Sequence, residues 1–247
     1  KNFNKALLLT LVSLLPTLTL AEVKKPVTLT AGLSKPPFVI ERNNENMGIQ
    51  LEVIKAAFAT EKREVKFLHL PLSRSFASIE KWHSDGTITL PSNYERAGVY
   101  LSSPYINYHN VLVTLSEEEH RLDNVNDLVG KKIVAFQTAQ NFLGPEYAYA
   151  VARAQDYREM ADQGKQVEML FARRAEVLVL DISIFKYFLL KNHDEKYNLP
   201  YKIHSIFPQA NYSAGFKSQL IRDEFERGLK AIKADGTYQK IIDKYQR

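Results

Sequence analysis

Cysteine is missing from this chain altogether. Disulfides, thiolate metal sites and cysteine nucleophiles are excluded with it. Tryptophan occurs once and methionine three times. Histidine is sparse, at His69, His83, His109, His120, His193 and His204, and none has a partner at the spacing of a zinc protease or an EF-hand. These six are read as surface or packing residues, so no metal and no cofactor are expected. A G-x-S-x-G nucleophile elbow, a phosphate loop, an internal repeat and a low-complexity tract are all lacking. Charge of one sign is lacking too: 33 Lys and Arg face 28 Asp and Glu, scattered along the chain. No basic face is interleaved with aromatics, which argues against nucleic acid as a partner.

Only one long apolar run is present, and it stands at the start. Lys1 and Lys5 precede an apolar core from Ala6 to Leu15, Pro16 breaks it, and Thr19-Leu20-Ala21 offers small residues for cleavage. Residues 1–21 are therefore read as a secretory signal peptide. The alternative, a membrane anchor, meets a core too short to span a bilayer comfortably. No Cys follows to carry a lipid. The expected mature chain is free in the periplasm of a bacterium, and loss of the two lysines lowers its formal charge from +5 to +3. What remains suffices for one large domain or two ordinary ones.

The run Val27–Ala31 is β-branched and short, a strand that ends in Gly32-Leu33-Ser34-Lys35-Pro36-Pro37-Phe38. The paired prolines force an extended path and present Lys35 from a fixed loop. After the polar turn Asn43–Asn46 and Met47-Gly48, residues Leu51, Ile54 and Phe58 repeat at helical spacing. Glu64–Leu70 follows as a strand, Pro71–Arg74 as a loop, and Ser75–Trp82 as a helix. Thr87–Leu90 is the third strand; Pro91 ends it, and a polar corner from Ser92 to Arg96 leads to a second extended run finishing at Tyr105. Such alternation implies a parallel sheet flanked by helices, with strand ends side by side. Lys35, Arg74 and the Thr89–Arg96 corner are then expected to converge on one crevice, where open α/β sheets bind ligands. An arginine there offers a flat fork shaped for a carboxylate, the alternative being an ordinary salt bridge.

Ile106–Leu115 is a further extended run, and Ser116–Glu119 an acidic turn. Lys131–Phe136 reads as a strand, and the polar loop Gln137–Phe142 opens a helix. Free amides at that helix start would suit an anion, or Thr138 or Asn141 simply caps the helix. Glu146–Arg158 reads as helix-rich. The continuous apolar run Val177–Leu180 fits a central parallel strand, and it ends in Asp181. That carboxylate either meets an ammonium group or caps the helix Ile182–Leu190. Tyr201–Ile206 and Tyr212–Phe216 are extended. An amphipathic helix, Ser218–Ala234, and a short one, Thr237–Tyr245, close the chain, their apolar faces fit to return to the first half.

Several motifs fall in a recognisable order: Lys35-Pro36-Pro37-Phe38, Gly48 before the first helix, Glu95-Arg96 followed by Leu101-Ser102-Ser103-Pro104-Tyr105, Asp127–Ile133, and Leu229–Tyr238. In this the chain resembles the bacterial extracellular solute-binding proteins of family 3, the amino-acid-type periplasmic receptors of ABC transporters, over essentially its whole mature length. The resemblance implies an α/β fold of two lobes, a type II periplasmic-binding-protein fold, with hinge strands joining mainly parallel sheets. Lobe 1 would hold residues 22–108 and 210–247, and lobe 2 residues 109–209. By carry-over Arg96 would clamp a ligand carboxylate and Asp181 would take its amino group. Thr89, Leu90 and Ser92 would line the floor, and Gln137, Thr138 and Asn141 would contribute from lobe 2. The family often has aromatic residues near Lys35 and at Leu72, and neither is aromatic here. Lys35 and Arg74 would then favour an extra negative charge on the ligand.

The implied function is non-catalytic capture of an amino acid or small carboxylate by a monomer that serves an inner-membrane ABC permease. Presentation of ligand to a chemoreceptor or sensor kinase is a second possibility. A dehydratase of the same fold is a third, for which Glu95 or Asp181 would have to act as general acid.

Overall fold

The computed structural model describes residues 24–42, 45–71, 74, 84–192 and 194–245. The signal segment, the expected helix Ser75–Trp82, Leu72, His83 and His193 lie outside the described residues.

Two sheets organise the molecule. In the first, β4 (Val65–His69), β1 (Val27–Ala31), β5 (Gly86–Pro91), β13 (Ala210–Phe216) and β6 (Tyr100–Leu101) run in that order, and β7 (Ile106–Tyr108) also pairs with β13. The β4–β1–β5 part is parallel, as alternation with helices demands, and β13 returns antiparallel to β5. The second sheet orders β10 (Asp156–Met160), β9 (Lys132–Phe136), β11 (Val177–Asp181), β8 (Asn110–Leu115) and β12 (Tyr201–His204). β11 is parallel to β9, antiparallel to β8 and buried throughout, which explains its uninterrupted apolar run. Beside the first sheet β2 (Ile40–Arg42) and β3 (Glu45–Met47) pair antiparallel, so Glu45 and Asn46 of the expected polar turn belong to a strand.

Two expectations are corrected here. Ile106–Leu115 is not one strand: β7 belongs to the first sheet and β8 to the second, and His109 sits at the step between them. The stretch Glu146–Arg158 is not helical to its end. Helix α3 (Pro145–Val151), which follows the short α2 (Ala139–Leu143), gives way to β10, parallel to β9. β10 is an edge strand of the sequence Asp-Tyr-Arg-Glu-Met, only partly buried, so its charges hide the alternation that marks inner strands.

The chain passes between the two sheets twice among the described residues, once through 108–110 and once through 204–210. Helices α4 (Gln163–Phe171) and α5 (Ile182–Lys191) pack on the second sheet, and α1 (Ile49–Thr60) packs on the first. Helix α6 (Gln219–Ala234) lies across α1, burying Phe225, Leu229 and Ile232, each fully buried apolar side chain stabilising by about 1.5–3 kcal/mol. Helix α7 (Thr237–Tyr245) is clasped to α1. Lys244 Nζ donates to Glu52 at 2.8 Å, the Tyr245 phenol donates to the same carboxylate, and Gly48 N–H donates to the Tyr245 oxygen at 2.8 Å. No helix among the described residues is long and apolar enough to cross a membrane.

Candidate functional site

The loop Lys35–Val39 is locked before its side chains do anything. Lys35 N–H donates to Val39 O, and the amides of Phe38 and Val39 return to Lys35 O, each at 3.0 Å. Helix α1 then holds the loop from below, because Ile49 and Gln50 N–H donate to the carbonyls of Pro37 and Phe38 at 2.9 and 3.0 Å. That dock requires Gly48: its φ is 106°, and a Cβ there would stand 2.5 Å from Phe38 O. So the Pro-Pro-Phe and Gly48 motifs form one device that fixes where Lys35 points.

Lys35 points into a cavity of about 130 Å³ between the two sheets. The first sheet and its loops contribute Leu33, Lys35, Pro71, Thr89, Tyr108 and Tyr212. The second contributes Phe136, Gln137, Phe142, Met160, Gln163, Asp181 and Ile184. The walls mix aromatic and aliphatic faces with the polar side chains of Ser34, Thr89, Asn110, Gln137 and Gln163.

The Lys35 ammonium stands over the Tyr108 ring, 4.1 Å from its centroid, a contact favoured by the ring quadrupole. Tyr108 cannot easily swing away. Its ring meets Phe38 at 4.2 Å and Tyr212 at 5.1 Å between centroids, and its phenol donates to Gln50 Oε1 at 2.7 Å. Gln50 is fully buried, and its amide donates in turn to Thr89 Oγ1 at 3.0 Å and to the Tyr105 oxygen at 3.1 Å. Tyr105 donates onward to Ile88 O at 2.7 Å. Helix α1, the floor strand β5 and the crossing at Tyr108 thus share one buried polar network, each of whose members is costly to orphan.

Asp181, 3% exposed, ends β11 inside the cavity wall. Its Oδ1 accepts from Ser183 N–H at 2.8 Å and Ile184 N–H at 3.2 Å, and its Oδ2 accepts from His109 N–H at 2.7 Å. It is therefore the cap of α5 and also the pin that holds the crossing strand. Burial raises its pKa, and the three amides and the Lys35 charge pull the other way. On the same sheet, after β9, the amides of Thr138 and Gln140 at the start of α2, expected to be free, are taken. Thr138 N–H donates to Glu159 Oε2 at 2.7 Å, and Gln140 N–H donates to Glu159 Oε1 at 3.1 Å.

Of the residues singled out from the sequence, Lys35, Thr89, Gln137 and Asp181 line this one cavity. Leu90 is fully buried and faces the core against Gly215. Ser92 sits exposed in the turn after β5, its amide donating to Asn211 O at 3.0 Å. Arg74 and Arg96 are exposed, Thr138 is half-buried and Asn141 is exposed, and none of these four lines the cavity. Of the three cations expected in one crevice, Lys35 lines the cavity in this structure and the other two lie outside its lining. A loop position says which strand edge a residue occupies, not which way a long side chain leans. Tyr108, Tyr212 and Gln163 were not marked by the sequence. Gln50 left a trace, as a polar residue inside the apolar stretch Ile49–Ile54.

Burial pulls the Lys35 ammonium down from 10.5 to about 8, and the Asp181 charge offsets this only in part. Between those two pH values the unfolded chain holds a proton that the folded chain has released, so stability should rise with pH across that window. Relative to Lys35→Met, the wild-type protein should gain on the order of 1 kcal/mol from pH 8 to pH 10, moderated because the cleft is open to water. Urea midpoints at four pH values would measure it. A flat difference would place this ammonium in ordinary solvent. The phenols of Tyr108 and Tyr212, raised by burial, act in the opposite sense only above their ordinary value of 10.

The model of the family described as bacterial extracellular solute-binding proteins, family 3, matches residues 28–247. No curated protein sequence matches the chain. Among solved structures, an ABC uptake transporter substrate-binding protein from Streptococcus pneumoniae with bound histidine superimposes with a TM-score of 0.72 at 15% identity, covering 89% of this chain and 92% of that one. A mutant of ArgBP from T. maritima gives 0.69 at 22% identity, covering 88% and 94%. A histidine kinase sensor domain with similarity to periplasmic binding proteins gives 0.74 at 14% identity, covering 91% and 97%. At such identities these likenesses show the two-lobed fold.

Proposed function

The chain belongs to the bacterial extracellular solute-binding proteins of family 3, and from that premise we propose that it captures a small carboxylate-bearing solute between its lobes and delivers it to an inner-membrane ABC permease. One observation carries the reading: a single cavity takes its walls from both sheets, while only two short segments join those sheets among the described residues. A ligand touching both walls adds contacts that exist only when the lobes are together, and it shifts the population toward that state. The partner would recognise the closed form. In this reading residues 22–108 and 210–247 form one lobe, residues 109–209 form the other, and the protein works as a periplasmic monomer released from the signal segment 1–21. It binds and does not catalyse. Arg96, outside the cavity, is proposed as a further carboxylate contact that reaches in by side-chain rearrangement.

A second reading, presentation of the ligand to a sensor, is favoured by the likeness to the histidine kinase sensor domain. Membrane partners retained by the ligand-loaded protein would separate the two. The capture reading itself is tested by thermal shift of the mature protein against amino acids, small carboxylates, polyamines and sugars. A solute at a hundred times its Kd should add about 2.7 kcal/mol to stability. No shift from any of them would remove the capture reading. An Arg96→Ala variant with an unchanged shift would take Arg96 out of the site.

A further inference from the structure

The charges inside the cleft are not balanced in the way a zwitterion would need. Asp181, the carboxylate on its wall, already accepts three backbone N–H groups through both of its oxygens. What remains of its field is directed at Lys35. Glu159 is likewise committed, taking the amides of Thr138 and Gln140 and the phenol of Tyr157. The Lys35 ammonium is in the opposite position. It has three N–H donors, and among the described residues its one direct contact is the face of Tyr108. The half-buried ammonium has only water to accept from it, and a ligand anion held against the Tyr108 face would take that place. The loop and helix hydrogen bonds around it leave its backbone no freedom to withdraw.

The rest of the lining decides what kind of molecule brings that acceptor. Leu33, Phe136, Phe142, Met160 and Ile184 present hydrocarbon and sulfur. Gln163 adds a side-chain amide whose oxygen is buried without a partner. An amide serves as donor or acceptor after a flip, so it does not choose between anion and cation. Lys35 does choose. A ligand ammonium entering this cavity would face a like charge at Lys35, and the only lining carboxylate among the described residues has one acceptor site left, on Oδ2, with the other three held by backbone amides.

We infer that the cleft selects a monocarboxylate with an apolar body and no ammonium group, with Lys35 as the ligand's cationic partner and Tyr108 as the platform that aims it. This rests on the cleft being the capture site, and it assigns the class of solute captured there. A branched aliphatic or aryl-substituted short-chain acid has the required chemistry: two anionic oxygens for the three Lys35 donors, and hydrocarbon for the aromatic and methionine wall.

Matched pairs test it by calorimetry on the mature protein: 4-methylpentanoate against L-leucine, and 3-phenylpropanoate against L-phenylalanine. In at least one pair the acid should bind ten times more tightly than the amino acid or better. The neutral 3-phenylpropanamide should bind at least thirty times more weakly than its acid, a comparison that needs no variant. Lys35→Met should weaken the acid at least thirtyfold and leave the amino acid unchanged or improved, and Lys35→Gln should do the same if the methionine variant fails to fold. Acids that bind less than ten times more tightly than their amino acids in both pairs would overturn the inference and leave solute capture standing. So would an acid whose affinity stays within threefold in the Lys35 variants. If neither pair binds while another solute of the thermal panel does, the assigned class is wrong and capture stands. If nothing binds at all, capture itself falls and takes the inference with it.

Discussion

Replacing Gly228 by alanine should cost the fold about 3 kcal/mol or more. Gly228 lies on the buried face of α6, where that helix crosses α1. A Cβ at this position would stand 2.0 Å from the carbonyl oxygen of Ala57 and 2.6 Å from its carbon. Both are backbone atoms inside a regular helix, so no side chain can rotate aside. The helices would have to separate, and Phe225, Leu229 and Ile232 would lose contact with Phe58 and its neighbours in the same core. Helix propensity favours alanine over glycine by roughly 1 kcal/mol, which works against the clash and is too small to cancel it. For a chain of this size a loss of about 3 kcal/mol lowers the Tm by roughly 6–12 °C. A Gly228→Ala protein melting within a degree of wild type would show that the two helices do not approach as described. The same contact explains a functional requirement. Helix α1 carries Gln50 and anchors the Lys35 loop, so any displacement of α1 is transmitted to the cavity floor.

Asp181→Ala should be nearly as damaging, by on the order of 3 kcal/mol, and for a reason unrelated to ligand. Three backbone N–H groups lose their acceptor at once, at Ser183, Ile184 and His109. A lost helix cap typically costs about 1 kcal/mol, and a buried donor left unsatisfied costs about 1–3 kcal/mol. Lys35 also loses the charge that opposes its desolvation, so its pKa should fall further below about 8. Asp181→Asn separates the contributions. The asparagine oxygen can still cap α5, while its NH2 group would face the His109 N–H, so an intermediate loss of roughly 1–2 kcal/mol is expected. Urea unfolding of the three proteins would order them wild type, Asn, Ala. If the alanine variant unfolds at the wild-type midpoint, Asp181 is not the pin described here. The sequence left two roles open for this residue, ammonium partner or helix cap, and the hydrogen bonds establish the cap.

Much of the architecture was legible because it is encoded locally. The strand at Val27–Ala31, the helical repeat of Leu51, Ile54 and Phe58, the buried run Val177–Leu180 and the amphipathic α6 all declare themselves through spacing alone. The device at Lys35–Phe38 and Gly48 was legible only in part: the prolines announced a fixed loop, but the expected extended path is a hydrogen-bonded turn, and Gly48 is required by its approach to Phe38 O, which spacing does not show. The resemblance built on those motifs agrees with the family match over residues 28–247.

What escaped the sequence is what depends on partners far away along the chain. Ile106–Leu115 has one unbroken β pattern, yet β7 pairs with β13 and β8 with β11 and β12, because hydrogen bonding to distant strands decides sheet membership. β10 went unseen because an edge strand need not alternate. The ends of strands and loops told which cations stand near the cleft; only packing determined that Lys35 alone of the three enters it, over Tyr108, while Arg74 and Arg96 lie at the surface. Whether a charge in the cleft is available to a ligand was likewise decided in three dimensions. Glu159 and Asp181 are as acidic in the sequence as any other carboxylate, and it is the fold that gives each of them three protein hydrogen-bond donors, while the Lys35 ammonium is set against a ring face.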